Sequence, residues 1–273
     1  MRVRGLVGAA HPVPTLAVTV LATVFSAAAG RSAAGCVLVA ATVLTGQLSI
    51  GWCNDLVDRE RDLAAGRRDK PLVTGTVRPR AVAVSCGLAV AACVPLSLAS
   101  GWQAGLAHLA GVAGGWAYDL GLKRTWWSWL PYAASFALLT AFLTLGLPGN
   151  PAPPAWLLLA GALLGTGAHF LNVVPDIDAD LAAGVRGLPQ RLGAARASVT
   201  GAVLLTAAVL VVTVGPGEPP WWAWLGFAAA ACCAAGAAVL GARGTPGRAP
   251  FLLAVATAVL AVGLLIARAP DLG

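Results

Sequence analysis

Apolar runs of about 18 residues or more recur along the whole chain, and each is long enough to cross a hydrocarbon core about 30 Å thick. In lipid every backbone N–H and C=O must be satisfied within the protein, so continuous apolar runs of this length fold as helices. They fall at about 13–30, 33–53, 80–99, 102–119, 129–147, 154–174, 197–215, 220–241 and 249–268, which predicts nine spans. Only 11% of the 273 residues are charged and 58% are hydrophobic, whereas a soluble domain carries roughly a quarter charged residues. The fold class expected is all-α, a polytopic membrane protein whose many Gly and Ala residues suit close helix packing.

The basic residues orient these spans. With the N-terminus inside, sixteen of the eighteen Lys and Arg, from Arg2 and Arg4 to Arg243 and Arg248, fall in inner segments; Arg31 and Arg268 fall outside. Nine of the eleven acids are also on the inner side, leaving Glu218 and Asp271 outside. Acids do not follow the positive-inside rule, so their bias points to a function at the cytoplasmic face. Trp126, Trp127 and Trp129 mark an inner boundary and Trp221, Trp222 and Trp224 an outer one, as headgroup anchors do. The net charge of +7 is spread over short loops and gives no nucleic-acid surface. The cysteines (Cys36, Cys53, Cys86, Cys93, Cys232, Cys233) lack ligand spacing and read as small core residues. Arginines before the first apolar run suit a leader peptide, but no clear cleavage site follows, so this segment reads as the first mature helix.

Within this apolar background the stretch GWCNDLVDRERD, residues 51–62, is anomalous. It carries Asn54-x3-Asp58-x3-Asp62-x3-Gly66, followed by Pro71-Leu72. The end of the sixth span carries Asn172-x3-Asp176-x3-Asp180-x3-Gly184, followed by Leu188-Pro189. The same residue types recur at the same spacings 118 positions apart. We read two tandem four-helix repeats, about 12–119 and 129–241, with a ninth helix at about 249–268, all within one domain spanning 1–273; repeats place a shared site at their interface.

Spacing of four puts each Asn and its two Asp on one helical stripe. Two stripes facing one another bring four carboxylates within a few ångströms, strongly repulsive without a cation. Magnesium resolves this, taking one or two carboxylates and completing its octahedron with water and phosphate oxygens. Arg59, Arg61, Arg67, Arg68, Lys70, Lys123, Arg124 and Arg186 supply fixed cations beside it, so the whole reads as a metal–diphosphate site. A salt-bridged loop would also alternate acids and bases, but it has no need of the recurrence. Asp55 and Asp178 lie off the stripes, and Glu60 and Asp69 read as surface charges. Gln47, seven residues before Asn54, and His169, three before Asn172, are expected to point into the same cavity one or two turns deeper. His169 is the candidate base; His11 and His108 lie near span ends and carry no comparable argument.

These motifs resemble those of the UbiA superfamily of intramembrane prenyltransferases. NDxxDxxxD matches Asn54, Asp55, Asp58 and Asp62; DxxxD with a preceding Asn matches Asn172, Asp176 and Asp180; the Tyr118-to-Arg124 loop is also similar. The resemblance runs over about residues 12–268. It implies a bundle around a central cavity open sideways to lipid, with a Mg2+-bound isoprenyl diphosphate at the cytoplasmic mouth. By position, Asn54, Asp58, Asp62, Asn172, Asp176 and Asp180 would hold magnesium, with Asp58 and Asp176 essential to catalysis. Arg68, Lys70, Lys123 and Arg124 would grip diphosphate, and Tyr118 with Gln47 would line the pocket. The reaction implied is ionisation to an allylic cation and capture by an acceptor.

Arg80 and Arg268 sit at span ends and no Arg or Lys lies deeper within a predicted span, which argues for a neutral, lipophilic acceptor of an aromatic or quinone-like kind. The alternative on the same scaffold is a terpene cyclase, converting farnesyl or geranylgeranyl diphosphate without an acceptor; phosphoribose transfer to a polyprenyl phosphate is a remoter one. A transporter is disfavoured because the acids gather at one face and not at the bilayer centre.

Overall fold

The computed structural model describes residues 3–243 and 249–269; Arg2, Arg248 and Asp271, placed by charge above, lie outside the described residues. Eleven α-helices run in chain order: α1 (Val3–Gly8), α2 (Pro12–Ala28), α3 (Ala33–Ala64), α4 (Pro79–Leu98), α5 (Trp102–Leu120), α6 (Leu130–Leu145), α7 (Ala155–Val173), α8 (Ile177–Ala182), α9 (Leu188–Val214), α10 (Trp221–Ala242) and α11 (Ala249–Ala267). Two 3-10 turns, Leu122–Arg124 and Val174–Asp176, join α5 to α6 and α7 to α8. The described residues hold no strand.

Successive long helices pack on one another, and the series closes where α11 meets α2. Close crossings use glycine. A Cβ at Gly51 would lie 2.6 Å from the Ala10 carbonyl oxygen, and one at Gly165 would lie 2.5 Å from that of Tyr132.

Helix positions follow the apolar runs closely, but the number of spans does not follow from them. Ala33–Ala64, Pro79–Leu98, Ala155–Ala182, Leu188–Val214 and Trp221–Gly241 are long and apolar enough to cross a membrane; Pro12–Ala28, Leu130–Leu145 and Val255–Ala267 are apolar but shorter. Five spans are therefore carried by length and composition, not the nine expected.

Three local differences matter for the site. α3 does not stop at the membrane boundary near residue 53 but continues as unbroken helix to Ala64, which holds Asn54, Asp58 and Asp62 on one rigid stripe. The second motif breaks, because Pro175 has no N–H and its ring opposes the carbonyl four residues back. The chain there passes through the 3-10 turn Val174–Asp176 before the six-residue α8, so Asn172, Asp176 and Asp180 do not share one continuous helix. α9 begins nine residues earlier than expected and is kinked at Gly193, where φ is 78°.

Both motifs end alike. Gly66 (φ 64°) and Gly184 (φ 76°) adopt the left-handed conformation that glycine tolerates. Arg67 N then donates to the Asp62 carbonyl at 3.0 Å, and Val185 N to that of Asp180 at 2.8 Å, a helix C-terminal closure of the Schellman kind. The cysteines divide: Cys53, Cys86 and Cys93 are buried, Cys36 and Cys233 half-buried and Cys232 exposed, with no disulfide.

Candidate active site

A cavity of about 900 Å3 runs through the bundle from the ends of α3 and α7. Asn54, Asp58 and Asp62 from the first motif and Asn172, Asp176 and Asp180 from the second all line it, with Arg61, Arg67, Lys70 and Lys123 among them. The two polar stretches, far apart in sequence, thus share one chamber.

Their carboxylates are not left facing one another. Lys123 Nζ donates to both oxygens of Asp58, at 2.6 and 2.7 Å, and Arg61 Nη2 donates to Asp58 Oδ2 at 2.9 Å. Arg61 also lies 3.8 Å from Asp62. On the other side Gln190 Nε2 donates to Asp180 Oδ2 at 2.9 Å. No group of three or more His, Cys, Asp or Glu is gathered as a metal cage among the described residues. The tight four-carboxylate cluster expected from the stripes is therefore not formed: Asp58 is paired with Lys123 and Arg61, Asp180 accepts from Gln190, and Asp176 has no ion-pair partner among the described residues.

The donor set still fits magnesium. Six hard oxygen-bearing side chains line one wall-to-wall space, and Mg2+ normally takes only one or two carboxylates per ion, filling its remaining positions with water and phosphate oxygens. Asn54 is prepared for such a role: its amide donates to Asp119 Oδ1 at 2.8 Å, a contact that assigns the nitrogen to Asp119 and leaves the amide oxygen uncommitted.

The expected diphosphate grips divide. Lys123 is 4% exposed, lines the cavity and stands on Asp58. Lys70 also lines it, but donates to Asp55 Oδ1 at 2.6 Å and lies 3.3 Å from His11 Nε2. Asp55, off the stripe, is thereby explained: it is 2% exposed, meets His11 Nε2 at 3.0 Å, and ties the start of α2 and the 65–78 loop to α3. Arg68 and Arg124 are exposed and outside the lining; Arg67 takes the place expected for Arg68. Arg67 grips Asp69 through two bonds of 3.0 Å. That guanidinium holds the Asp69 carboxyl below its usual range, and the pairing raises the Arg67 pKa in turn.

Gln47 and Tyr118 line the cavity as expected. His169 does not. It is fully buried, stacked on Tyr132 at 4.5 Å between ring centroids and edge-on to Tyr118 at 5.5 Å, with Nε2 3.3 Å from Ser128 Oγ. Three residues back along a helix is 60° off the Asn172 face, and Ala168 lines the chamber in its place. His169 supports the aromatic wall from behind and is not a base inside the cavity. Residues absent from the expectation include Tyr132, Phe136, Asp119 and His108 in the lining, and Gln190 behind Asp180. Sequence proximity to a motif could have flagged Asp119, beside Tyr118, and Gln190, directly after Leu188-Pro189; Tyr132, Phe136 and His108 carry no local signal.

The fold and site together define a helical membrane protein with an acid- and base-lined mouth on a mainly apolar chamber. The pattern of the UbiA prenyltransferase family matches residues 14–249, and the chain belongs to that family. It is 31% identical over 183 residues to the bacteriochlorophyll synthase 33 kDa chain of Cereibacter sphaeroides, covering 62% of this chain and 57% of that one. It is 30% identical over 169 residues to the digeranylgeranylglyceryl phosphate synthase of Methanothrix thermoacetophila, covering 60% and 61%. The match thus spans about three fifths of the length of these curated relatives. In fold it is similar to a UbiA homolog from Archaeoglobus fulgidus bound to GPP and Mg2+ (TM-score 0.72, 17% identity, 98% and 99% of the two chains). It is likewise similar to the apo UbiA homolog from Aeropyrum pernix K1 (TM-score 0.72, 19% identity, 98% of each). An integral membrane protein is the common reading of its apolar helices and its family.

Proposed function

We propose that this chain is a magnesium-dependent intramembrane prenyltransferase, which ionises an isoprenyl diphosphate and transfers the prenyl group to a neutral, lipophilic acceptor. The observation that carries the reading is the meeting of both Asn/Asp motifs and four basic side chains in one mainly apolar chamber. Asn54, Asp58, Asp62, Asn172, Asp176 and Asp180 would hold the metal, and the bound metal supplies Lewis-acid neutralisation of charge on the diphosphate. Structures of a UbiA homolog of the same fold from Archaeoglobus fulgidus hold GPP and Mg2+ and DMAPP and Mg2+, which supports both substrate class and ion.

The chain's own residues do the rest. Lys123 and Arg61, held on Asp58 in this structure, turn to the diphosphate, whose charge grows as the carbon–oxygen bond breaks. Tyr118, Tyr132 and Phe136 line the chamber and offer ring faces to the allylic cation. Apolar walls keep water from quenching it. All four Lys and Arg of the lining belong to the motif end, and the polar lining deeper in the chamber, including Gln47 and His108, holds no Lys, Arg, Asp or Glu, which favours an uncharged acceptor. We also propose nine spans, two four-helix repeats plus a ninth helix, and a cytoplasmic N-terminus and mouth. The shared glycine closures after Asp62 and Asp180 support the repeat, and the positive-inside bias supports the orientation.

The test is product analysis. Purified protein with farnesyl or geranylgeranyl diphosphate and Mg2+ should turn over rapidly only when an acceptor is added. A hydrocarbon or terpene alcohol formed without acceptor identifies the cyclase instead, and turnover indifferent to Mg2+ removes the metal from the account.

A further inference from the structure

The chamber contains a second polar place, away from the metal motifs. His108 on α5 is 5% exposed, lines the cavity, and has its Nδ1 2.8 Å from Ser97 Oγ. Ser97 has one hydroxyl proton, which it gives to the Cys93 carbonyl at 2.6 Å. Ser97 can therefore only accept from His108, so the imidazole proton is on Nδ1 and Nε2 presents a bare lone pair. Nε2 makes no hydrogen bond among the described residues and faces accessible space. A Cβ at Gly46 would lie 3.3 Å from it, which sets the ring at the level of Gly46 and its neighbour Gln47. Gln47, half-buried, also lines the cavity and makes no side-chain hydrogen bond among the described residues.

Both groups open on the chamber and are not sealed away from it, and a few placed polar groups on mainly apolar walls are what orient a bound small molecule. His108 lies ten residues before Tyr118 on α5, about 15 Å along the axis at about 1.5 Å per residue. That is too far from the diphosphate mouth for action on the breaking bond.

We infer that His108 Nε2 and the Gln47 amide form a recognition site for a hydroxyl group on the second substrate, remote from its reacting atom. The inference rests on the prenyl-transfer reading and narrows its acceptor class to a lipophile with a hydrogen-bond donor at one end. The two residues divide the work by chemistry. Nε2 can only accept, so it distinguishes a hydroxyl from an ether; the Gln47 amide donates to either oxygen. Ser97 is a positioning residue that fixes the tautomer. A remote anchor of this kind orients the acceptor so that its nucleophilic atom meets the cation.

The test needs neither diphosphate nor turnover. Binding of 4-nonylphenol and of its methyl ether is measured on the detergent-purified protein. Wild type should prefer the phenol by about 3- to 10-fold, the range of one hydrogen bond. H108F should bring the ratio near one by weakening the phenol alone, H108Q should restore part of it, and S97A should lower it. Q47L should weaken both probes. D176A should leave the ratio intact while abolishing Mg2+-dependent binding of geranylgeranyl diphosphate, so that failure here and failure of the metal–diphosphate reading are separate results. A wild-type ratio near one, failure of wild type to bind the phenol, or a ratio unchanged in S97A and in whichever His108 variant folds overturns the inference.

Discussion

Lys123 Nζ sits between the two carboxylate oxygens of Asp58, 2.6 and 2.7 Å away, joining residues 65 apart in sequence. Both side chains are nearly inaccessible, at 5% and 3%. A pair this buried is weak evidence for stability, but removing one partner leaves a charge without compensation. Lys123→Met should destabilise the fold by about 3–5 kcal/mol and abolish prenyl diphosphate binding. Lys123→Met with Asp58→Asn should regain most of the thermal stability and none of the binding. Denaturation in detergent and a binding isotherm for geranylgeranyl diphosphate check the two halves.

Asp176, exposed in the chamber mouth with no ion-pair partner among the described residues, gives a cleaner probe of the metal. Asp176→Ala should reduce diphosphate release at least about 100-fold, the scale of a lost electrostatic stabiliser, with thermal stability changed by no more than about 0.5 kcal/mol. Activity within a few-fold of the parent would remove Asp176 from the mechanism.

The Asn54–Asp119 contact fixes which way the Asn54 amide points. Asp119→Leu frees the amide to turn, and supporting residues of this kind typically cost about 10–100-fold in metal affinity. The expected signature is a rightward shift of the Mg2+ activation curve with little change at saturating Mg2+.

His169→Phe keeps an aromatic ring behind Tyr132 and loses only the contact to Ser128 Oγ. The product profile should be unchanged, and the rate should fall by less than about 10-fold, as for a lost neutral hydrogen bond. An altered product would return His169 to the chemistry.

Much of this arrangement is legible in the chain itself, for identifiable reasons. Helix positions follow from uninterrupted apolar runs, and Gln47 was placed well because seven residues is nearly two full turns from Asn54. The convergence of α3 and α7 on one chamber followed from the recurrence at offset 118. Failures have equally local causes. Spacing alone implies a continuous helix through the second motif, whereas Pro175 within it breaks the helix into a 3-10 turn. His169 was assigned by nearness to Asn172, although an offset of three turns the side chain off the face. His108 and Tyr132 depend on how α5 and α6 sit in the ring of helices, which no short-range pattern records. Nor does spacing reveal that Lys123 would settle on Asp58, since that contact is made across a loop.

The glycines of α7 carry a last consequence. A Cβ at Gly161 would stand 2.8 Å from the Phe136 carbonyl oxygen, and one at Gly165 2.5 Å from that of Tyr132. The aromatic wall is thus registered from behind, by positions outside the chamber's lining. Chain length or acceptor girth can then be retuned by a methyl group behind the wall, with every lining side chain kept as it is.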